Sequence, residues 1–174
     1  MSTRESLNAS QKPRLFIIMG VAGCGKSTIG DDLADQLSAI YKDGDDFHPQ
    51  SNIDKMSDGI GLTDEDRWPW LKIVAQDMAQ LEGQVFMGCS ALKRSYRDYI
   101  TEQAGEPVLF IHLAGSKELI LGRMAARVGH FMPTALLDSQ FATLEVPRAD
   151  ELAISVDISP DTASIIADIK AQIG

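Results

Sequence analysis

An α/β fold, a parallel five-stranded sheet flanked by helices on both faces, is predicted by two features of this sequence. Short apolar runs alternate with helical segments from residue 15 onward, and parallel strands need such crossover connections. The first apolar run also passes through a glycine-rich turn straight into an amphipathic helix. At 174 residues and 44% hydrophobic content, the chain can close one substantial core but not two. Residues 14–174 are therefore expected to form one domain. Residues 1–13 are expected to form a flexible polar tail, without the apolar core of a signal peptide.

Residues 15–19 (LFIIM) are continuously apolar and end at Gly20, the pattern of a buried strand. Residues 27–37 then set Ile29, Leu33, Ala34 and Leu37 on one helical face. A brief second strand at 40–41 runs into the acidic segment from Asp43 to Pro49, where Gly44 and Pro49 predict an irregular loop. One helical turn is expected over 52–56. Thr63, followed by Asp64, Glu65 and Asp66, marks the start of a helix reaching about residue 81, since hydroxyl caps and acidic residues suit helix N-termini. Runs at 85–88 and 108–113 read as the third and fourth strands, with a helical stretch around Tyr96 and Ile100 between them. A helix over 118–127, a break at Pro133, a helix over 136–144, a fifth strand over 154–158 and a closing helix over 160–173 complete the order. Ligands bind sheets of this kind at the carboxyl ends of the strands.

A formal charge of -9 opposes sequence-independent binding of nucleic acid, which relies on clustered Lys and Arg. It does not exclude a small basic pocket, because backbone amides and a few cations suffice for one phosphate group. No window approaches the roughly 18 apolar residues of a membrane span, so no membrane partner is expected and the cytoplasm is the expected location. Cys24 and Cys89 are too few for a disulfide framework or a closed zinc site and read as reduced thiols.

Gly20-Val21-Ala22-Gly23-Cys24-Gly25-Lys26-Ser27 matches the phosphate-binding loop GxxxxGK[ST] at every fixed position, and it lies between a predicted strand and a predicted helix as that motif requires. The chain is therefore expected to be a P-loop NTPase-type three-layer sandwich that binds ATP. Glycines let successive backbone N–H groups face the phosphates, and the helix dipole adds positive potential there. Lys26 would bridge the β- and γ-phosphates, Ser27 would offer its hydroxyl to Mg²⁺, and Thr28 would reach the α-phosphate. Cys24 reads as a small side chain in a variable loop position. No guanine-reading Asn-Lys-x-Asp segment follows, which argues against a GTPase switch. The third strand ends in Gly88-Cys89-Ser90 rather than in an acidic residue, so Asp43, at the end of the second strand, is the candidate for supporting Mg²⁺.

Three further segments carry a narrower signal. They are Asp43-Gly44-Asp45-Asp46-Phe47-His48-Pro49 with Asn52-Ile53-Asp54-Lys55-Met56, then Leu62-Thr63-Asp64-Glu65-Asp66-Arg67-Trp68-Pro69-Trp70-Leu71, then Cys89-Ser90-Ala91-Leu92-Lys93-Arg94-Ser95-Tyr96-Arg97-Asp98. With Gly129-His130-Phe131-Met132-Pro133 and the stretch from Ser139 to Glu145, they make the chain resemble the gluconokinase family, related to the shikimate and nucleoside monophosphate kinases. The likeness covers nearly everything from residue 15 to 158. It implies phosphorylation of D-gluconate at its 6-hydroxyl by ATP, and a homodimer. Ala22 and Cys24 stand where serines are frequent, and Val146 where an acidic residue is common.

By the same resemblance, Asp45 would receive the proton of the attacking hydroxyl while Asp43 helps to hold hydrated Mg²⁺. Because phosphoryl transfer is largely dissociative, positioning outweighs deep deprotonation of the acceptor. His48 either contacts substrate hydroxyls or packs beside Pro49. Arg67 and Lys93 are candidates for the gluconate carboxylate or phosphoryl oxygens, with surface salt bridging as the alternative. Trp68 and Trp70 read as packing residues, and Arg94 and Arg97 as partly a solvated helix face. Arg123 and Arg127, four apart on one helical face, resemble the arginines of a mobile lid over ATP, here about 123–140, with a solvated basic helix end as the alternative. His130, and more weakly Gln140, are further candidates for the substrate site.

Overall fold

The computed structural model describes residues 12–126 and 134–174. Its strands are β1 (Leu15–Met19), β2 (Ile40–Asp43), β3 (Val85–Gly88), β4 (Val108–Ala114) and β5 (Ala153–Asp157). They form one sheet in the order β2-β3-β1-β4-β5, and every neighbouring pair is parallel. The helices are α1 (Lys26–Gln36), α2 (Gln50–Ser57), α3 (Asp64–Gln80), α4 (Arg94–Ala104), α5 (Lys117–Ala125), α6 (Thr134–Thr143) and α7 (Thr162–Ile173).

Alternation along the central strand divides the core into two layers. Phe16 and Ile18 face α1 and α7, packing with Ile29, Leu33, Ile165 and Ile169. Leu15, Ile17 and Met19 face α3 and α4, packing with Leu71, Val74, Met78 and Ile100. Successive side chains of a strand point to opposite faces, so a wholly apolar run is what a strand buried on both faces requires. Phe16 and Phe86, paired across β1 and β3, stack with centroids 4.6 Å apart.

Local chemistry fixes the helix ends. Thr63 and Asp66 form a reciprocal capping box at the start of α3: the Asp66 N–H donates to Thr63 Oγ1 at 3.2 Å, and the Thr63 N–H donates to Asp66 Oδ2 at 2.9 Å. This satisfies two amides that the helix itself cannot.

Three expectations are corrected near the second strand. β2 runs two residues further, to Asp43, because Lys42 and Asp43 continue the register with Met87 and Gly88. The acidic segment is not irregular but forms a 3-10 turn over Gly44–Phe47, capped by the Asp43 carboxylate on the Asp45 N–H at 3.0 Å. Residues 52–56 belong to the longer α2, whose Asn52 is buried. At the start of the described chain, Lys12 donates to the carbonyl of Gly174 at 3.1 Å. Arg14 pairs with Glu106 at 2.8 Å.

Candidate active site

The loop from Gly20 to Ser27 joins β1 to α1 at the carboxyl edge of the sheet. Gly25 caps α1 with φ of 100°, a left-handed conformation that side chains with a Cβ resist. A Cβ on Gly20 would lie 2.7 Å from Cys24 Sγ, so the tight curl of the loop requires glycine there too. Lys26 Nζ donates to the carbonyls of Gly20 at 3.0 Å and Val21 at 3.1 Å, which holds the ammonium inside the loop. Ser27 and Thr28 are exposed residues at the first turn of α1. Cys24 is buried, and burial raises its thiol pKa against the lowering effect of Lys26. That environment suits packing rather than thiolate chemistry. Cys89 is likewise pushed up, to about 12, by burial.

The acidic turn faces this loop. Burial raises the pKa of Asp43, with Asp45 and Asp46 adding to the rise, while Lys26 acts in the opposite direction. Asp45 is exposed and its carboxyl lies below the ordinary value, first because of His48 and further because of Lys26. His48 itself is held on three sides. Its ring stacks on Trp70 at 4.0 Å, its Nδ1 lies 3.2 Å from Asn52 Nδ2, and its Nε2 lies 3.7 Å from Asp45 Oδ1. Asn52 Nδ2 also donates to the Asp66 carbonyl at 3.0 Å, which fixes that nitrogen as a donor. The His48 Nδ1 therefore accepts, and Nε2 carries the proton toward Asp45. His48 thus packs against Trp70 and Asn52, with its Nε2 toward Asp45.

Arg67 and Lys93 converge on one spot although 26 residues of chain separate them. The Arg67 guanidinium lies 5.4 Å and the Lys93 ammonium 5.6 Å from the centre of the Tyr96 ring, distances at which a cation is attracted to an aromatic face. Tyr96 donates its hydroxyl to Asp64 Oδ1 at 2.5 Å, and Lys93 approaches the same oxygen at 3.5 Å. Arg67 also donates to the Leu62 carbonyl at 2.6 Å. The N-termini of α3 and α4 thereby present two cations in one polar cluster. Trp68 meets Tyr96 edge-on at 5.6 Å, and Trp70 is buried in the core, so both tryptophans pack as expected.

Comparison with known proteins decides the family. A family model described as shikimate kinase matches residues 22–140. A thermosensitive gluconokinase of Escherichia coli is 50% identical over 91% of this chain and 86% of its own length. A gluconokinase of Gluconobacter oxydans is 41% identical over 88% of each chain. The crystal structure of a gluconokinase from Sinorhizobium meliloti superposes with a TM-score of 0.85 at 43% identity, covering 94% of this chain and 93% of that one. The chain belongs to the gluconokinases, within the wider shikimate kinase family.

Other residues stand differently in this gluconokinase than sequence reasoning expected. Arg97 is not on a solvated face: it is 1% exposed. Its Nε pairs with Glu151 at 2.7 Å, and its other nitrogens donate to the carbonyls of Ala91, Leu92 and Glu145. It thus clamps the loop that carries Lys93, where Ala91 adopts a φ of 44°. Such backbone persists only where its surroundings enforce it. Arg94 does lie at the surface and pairs with Asp150 at 2.7 Å.

Gln140, a weaker candidate in the sequence, accepts from the Ala22 N–H at 2.6 Å and so ties α6 to the phosphate loop. α6 is also pinned by Leu137, which is fully buried, and by an ion pair between Lys117 and Asp138. Arg123, in the last turn of α5, donates to the carbonyls of Ser159 at 3.3 Å and Pro160 at 3.4 Å. Arg127, Gly129 and His130 lie outside the described residues. A cavity of about 610 Å³ opens beside the loop, bordered by Val21, Phe141, Leu144, Ser155 and Asp157.

Proposed function

We infer that this chain is an ATP-dependent gluconokinase that transfers the γ-phosphoryl group of ATP to the 6-hydroxyl of D-gluconate. The observation that carries this reading is the phosphate loop that holds Lys26 at the carboxyl edge of the sheet, within electrostatic reach of Asp45, in a chain half identical to a gluconokinase. The amides of the Gly20–Ser27 loop and the positive end of α1 suit the ATP phosphates, and Lys26 would neutralise charge on the transferred group. Asp45, whose Oδ1 lies 3.7 Å from His48 Nε2, would align the acceptor hydroxyl and take its proton as the bond to phosphorus forms. Its low pKa makes it a weak base, which suits a reaction governed by alignment. Arg67 and Lys93 are assigned to the gluconate carboxylate, a pairing that a shared cationic cluster favours. Arg123 and Arg127 are assigned to a lid over ATP that spans about residues 123–140, and His130 to the substrate side.

Mg²⁺ fits the residues present. Among the described residues no three His, Cys, Asp or Glu side chains form a metal cage, but Mg²⁺ keeps several waters and needs only one or two protein oxygens besides phosphate. Ser27 would supply one oxygen directly and Asp43 would receive the hydrated ion. Bound there, the ion would neutralise charge on the phosphate oxygens.

Among the described residues no helix is long and apolar enough to cross a membrane. The family resemblance supports a cytoplasmic homodimer, which sedimentation velocity would test.

The reading of substrate is tested by ADP release with Mg-ATP against gluconate, shikimate, glucose, glucuronate and nucleoside monophosphates. Turnover selective for gluconate is expected. Selective turnover of another acceptor would keep the kinase and overturn the substrate. No acceptor-dependent release would instead favour a nucleotide-binding module without transfer.

A further inference from the structure

Tyr41 occupies a position that its packing alone does not explain. It lies on β2 two residues before Asp43, so both side chains point to the same face of the sheet, and the Tyr41 ring packs in the layer that holds α1. Two glycines make room for it. A methyl group at Gly30 would collide with the ring, and one at Gly88 would collide with the hydroxyl. Gly30 lies three residues beyond Ser27 on α1, on the same helical face. Gly88 is the register partner of Asp43. The hydroxyl is thereby delivered to the gap between the two residues assigned to the cation.

The hydroxyl is buried without a hydrogen bond of normal geometry, although the Ser27 hydroxyl lies beside it. Native structures seldom leave a buried polar group unpaired, and an exception calls for an explanation. A phenylalanine would fill the same glycine-lined space with no such cost.

A serine oxygen that ligates a cation turns a lone pair toward the metal and must point its own proton away. Coordination also polarises that O–H, which makes a well-placed acceptor more valuable. β3 ends at Gly88 and is followed by Cys89 and Ser90, so it carries no carboxylate at its tip to take this role. We propose that the Tyr41 hydroxyl oxygen accepts the Ser27 proton when a nucleotide-borne divalent cation is bound, fixing the Ser27 lone pair on the metal. Tyr41 is then a positioning residue that acts through Ser27, and the inference rests on the Mg²⁺ reading given above.

The test compares the wild-type chain, Tyr41→Phe and Ser27→Ala by three measurements. Mn²⁺ is titrated by electron paramagnetic resonance in the presence of ADP, ADP binding is measured in EDTA, and thermal unfolding is followed without ligand. For Tyr41→Phe the expected result is ADP-dependent Mn²⁺ binding weakened by about threefold to tenfold, the loss of one hydrogen bond. ADP affinity in EDTA should be unchanged, and the melting temperature equal or higher. Unchanged Mn²⁺ binding would overturn the inference. So would a lower melting temperature with an equal loss of ADP affinity in EDTA, since that pattern belongs to packing alone. The Mg²⁺ reading fails separately if the wild type shows no ADP-dependent Mn²⁺ binding or if Ser27→Ala binds Mn²⁺ as the wild type does.

Discussion

Trp70 holds the acidic turn from beneath: its ring stacks on His48 at 4.0 Å and 19°, and its indole N–H donates to the Gly44 carbonyl at 2.7 Å. One side chain of α3 thus sets both the backbone of the turn before Asp45 and the ring that faces it. Trp70→Phe keeps an aromatic body but strands a buried carbonyl, which costs about 1–3 kcal/mol. Urea denaturation should show that loss. Steady-state kinetics should show a lower kcat with gluconate, while the KM for ATP stays close to wild type, because the phosphate loop is built independently on α1.

Asp45→Asn preserves size and removes the carboxylate. Loss of a positioned proton acceptor lowers rates by about 10²–10⁴-fold, so kcat should fall within that span. ADP binding, measured by calorimetry, should stay intact, since Lys26 is held by the carbonyls of Gly20 and Val21 and not by Asp45. A variant with full kcat would remove Asp45 from the chemistry.

The Arg97–Glu151 pair lies almost wholly in the interior, its side chains 1% and 6% exposed. Arg97→Met leaves a buried carboxylate without its partner, a change that costs about 3–5 kcal/mol. The double variant Arg97→Met, Glu151→Met removes both charges and should recover part of that stability. The carbonyls of Ala91, Leu92 and Glu145 would still lack their donor. Chemical denaturation of the wild type, the single variant and the double variant checks the order.

The acid limb of the stability curve has an identified contributor in Asp66. Its hydrogen bond from Lys55, at 2.7 Å, and then the Thr63 N–H bring its pKa from 3.8 down to about 2. A carboxyl whose pKa is lower folded than unfolded stabilises the fold above the unfolded value. That contribution is lost as pH falls from about 3.8 through about 2. Lys55→Met should therefore narrow its stability gap to the wild type over this interval. Melting temperatures measured across it would show a constant gap if the pair were irrelevant.

The fold and the phosphate loop were legible because their signals are local. A continuous apolar run, a glycine-rich turn and a one-sided helix sit within residues 15–37, and the spacing alone specifies the backbone chemistry. β2 was read short because it is an edge strand, where Lys42 reaches out to Asp77 at 3.0 Å and breaks the apolar pattern. Arg97 was misjudged because its carboxylate partner lies 54 residues away, beyond any helical periodicity. The link from Ala22 to Gln140 spans 118 residues. Arg67 and Lys93 were each singled out by motif, but their meeting over Tyr96 depends on how α3 packs on α4. Tyr41 carried no signal at all, since a tyrosine in a short strand reads as ordinary core until the two glycines opposite it are seen in space.

The central claim is most directly tested by nuclear magnetic resonance of the reaction mixture after incubation with Mg-ATP and D-gluconate. The account predicts one phosphomonoester whose phosphorus couples to the two protons on C6, formed in step with ADP. A phosphoryl group on another carbon, or ADP formed at the same rate with and without gluconate, would contradict it.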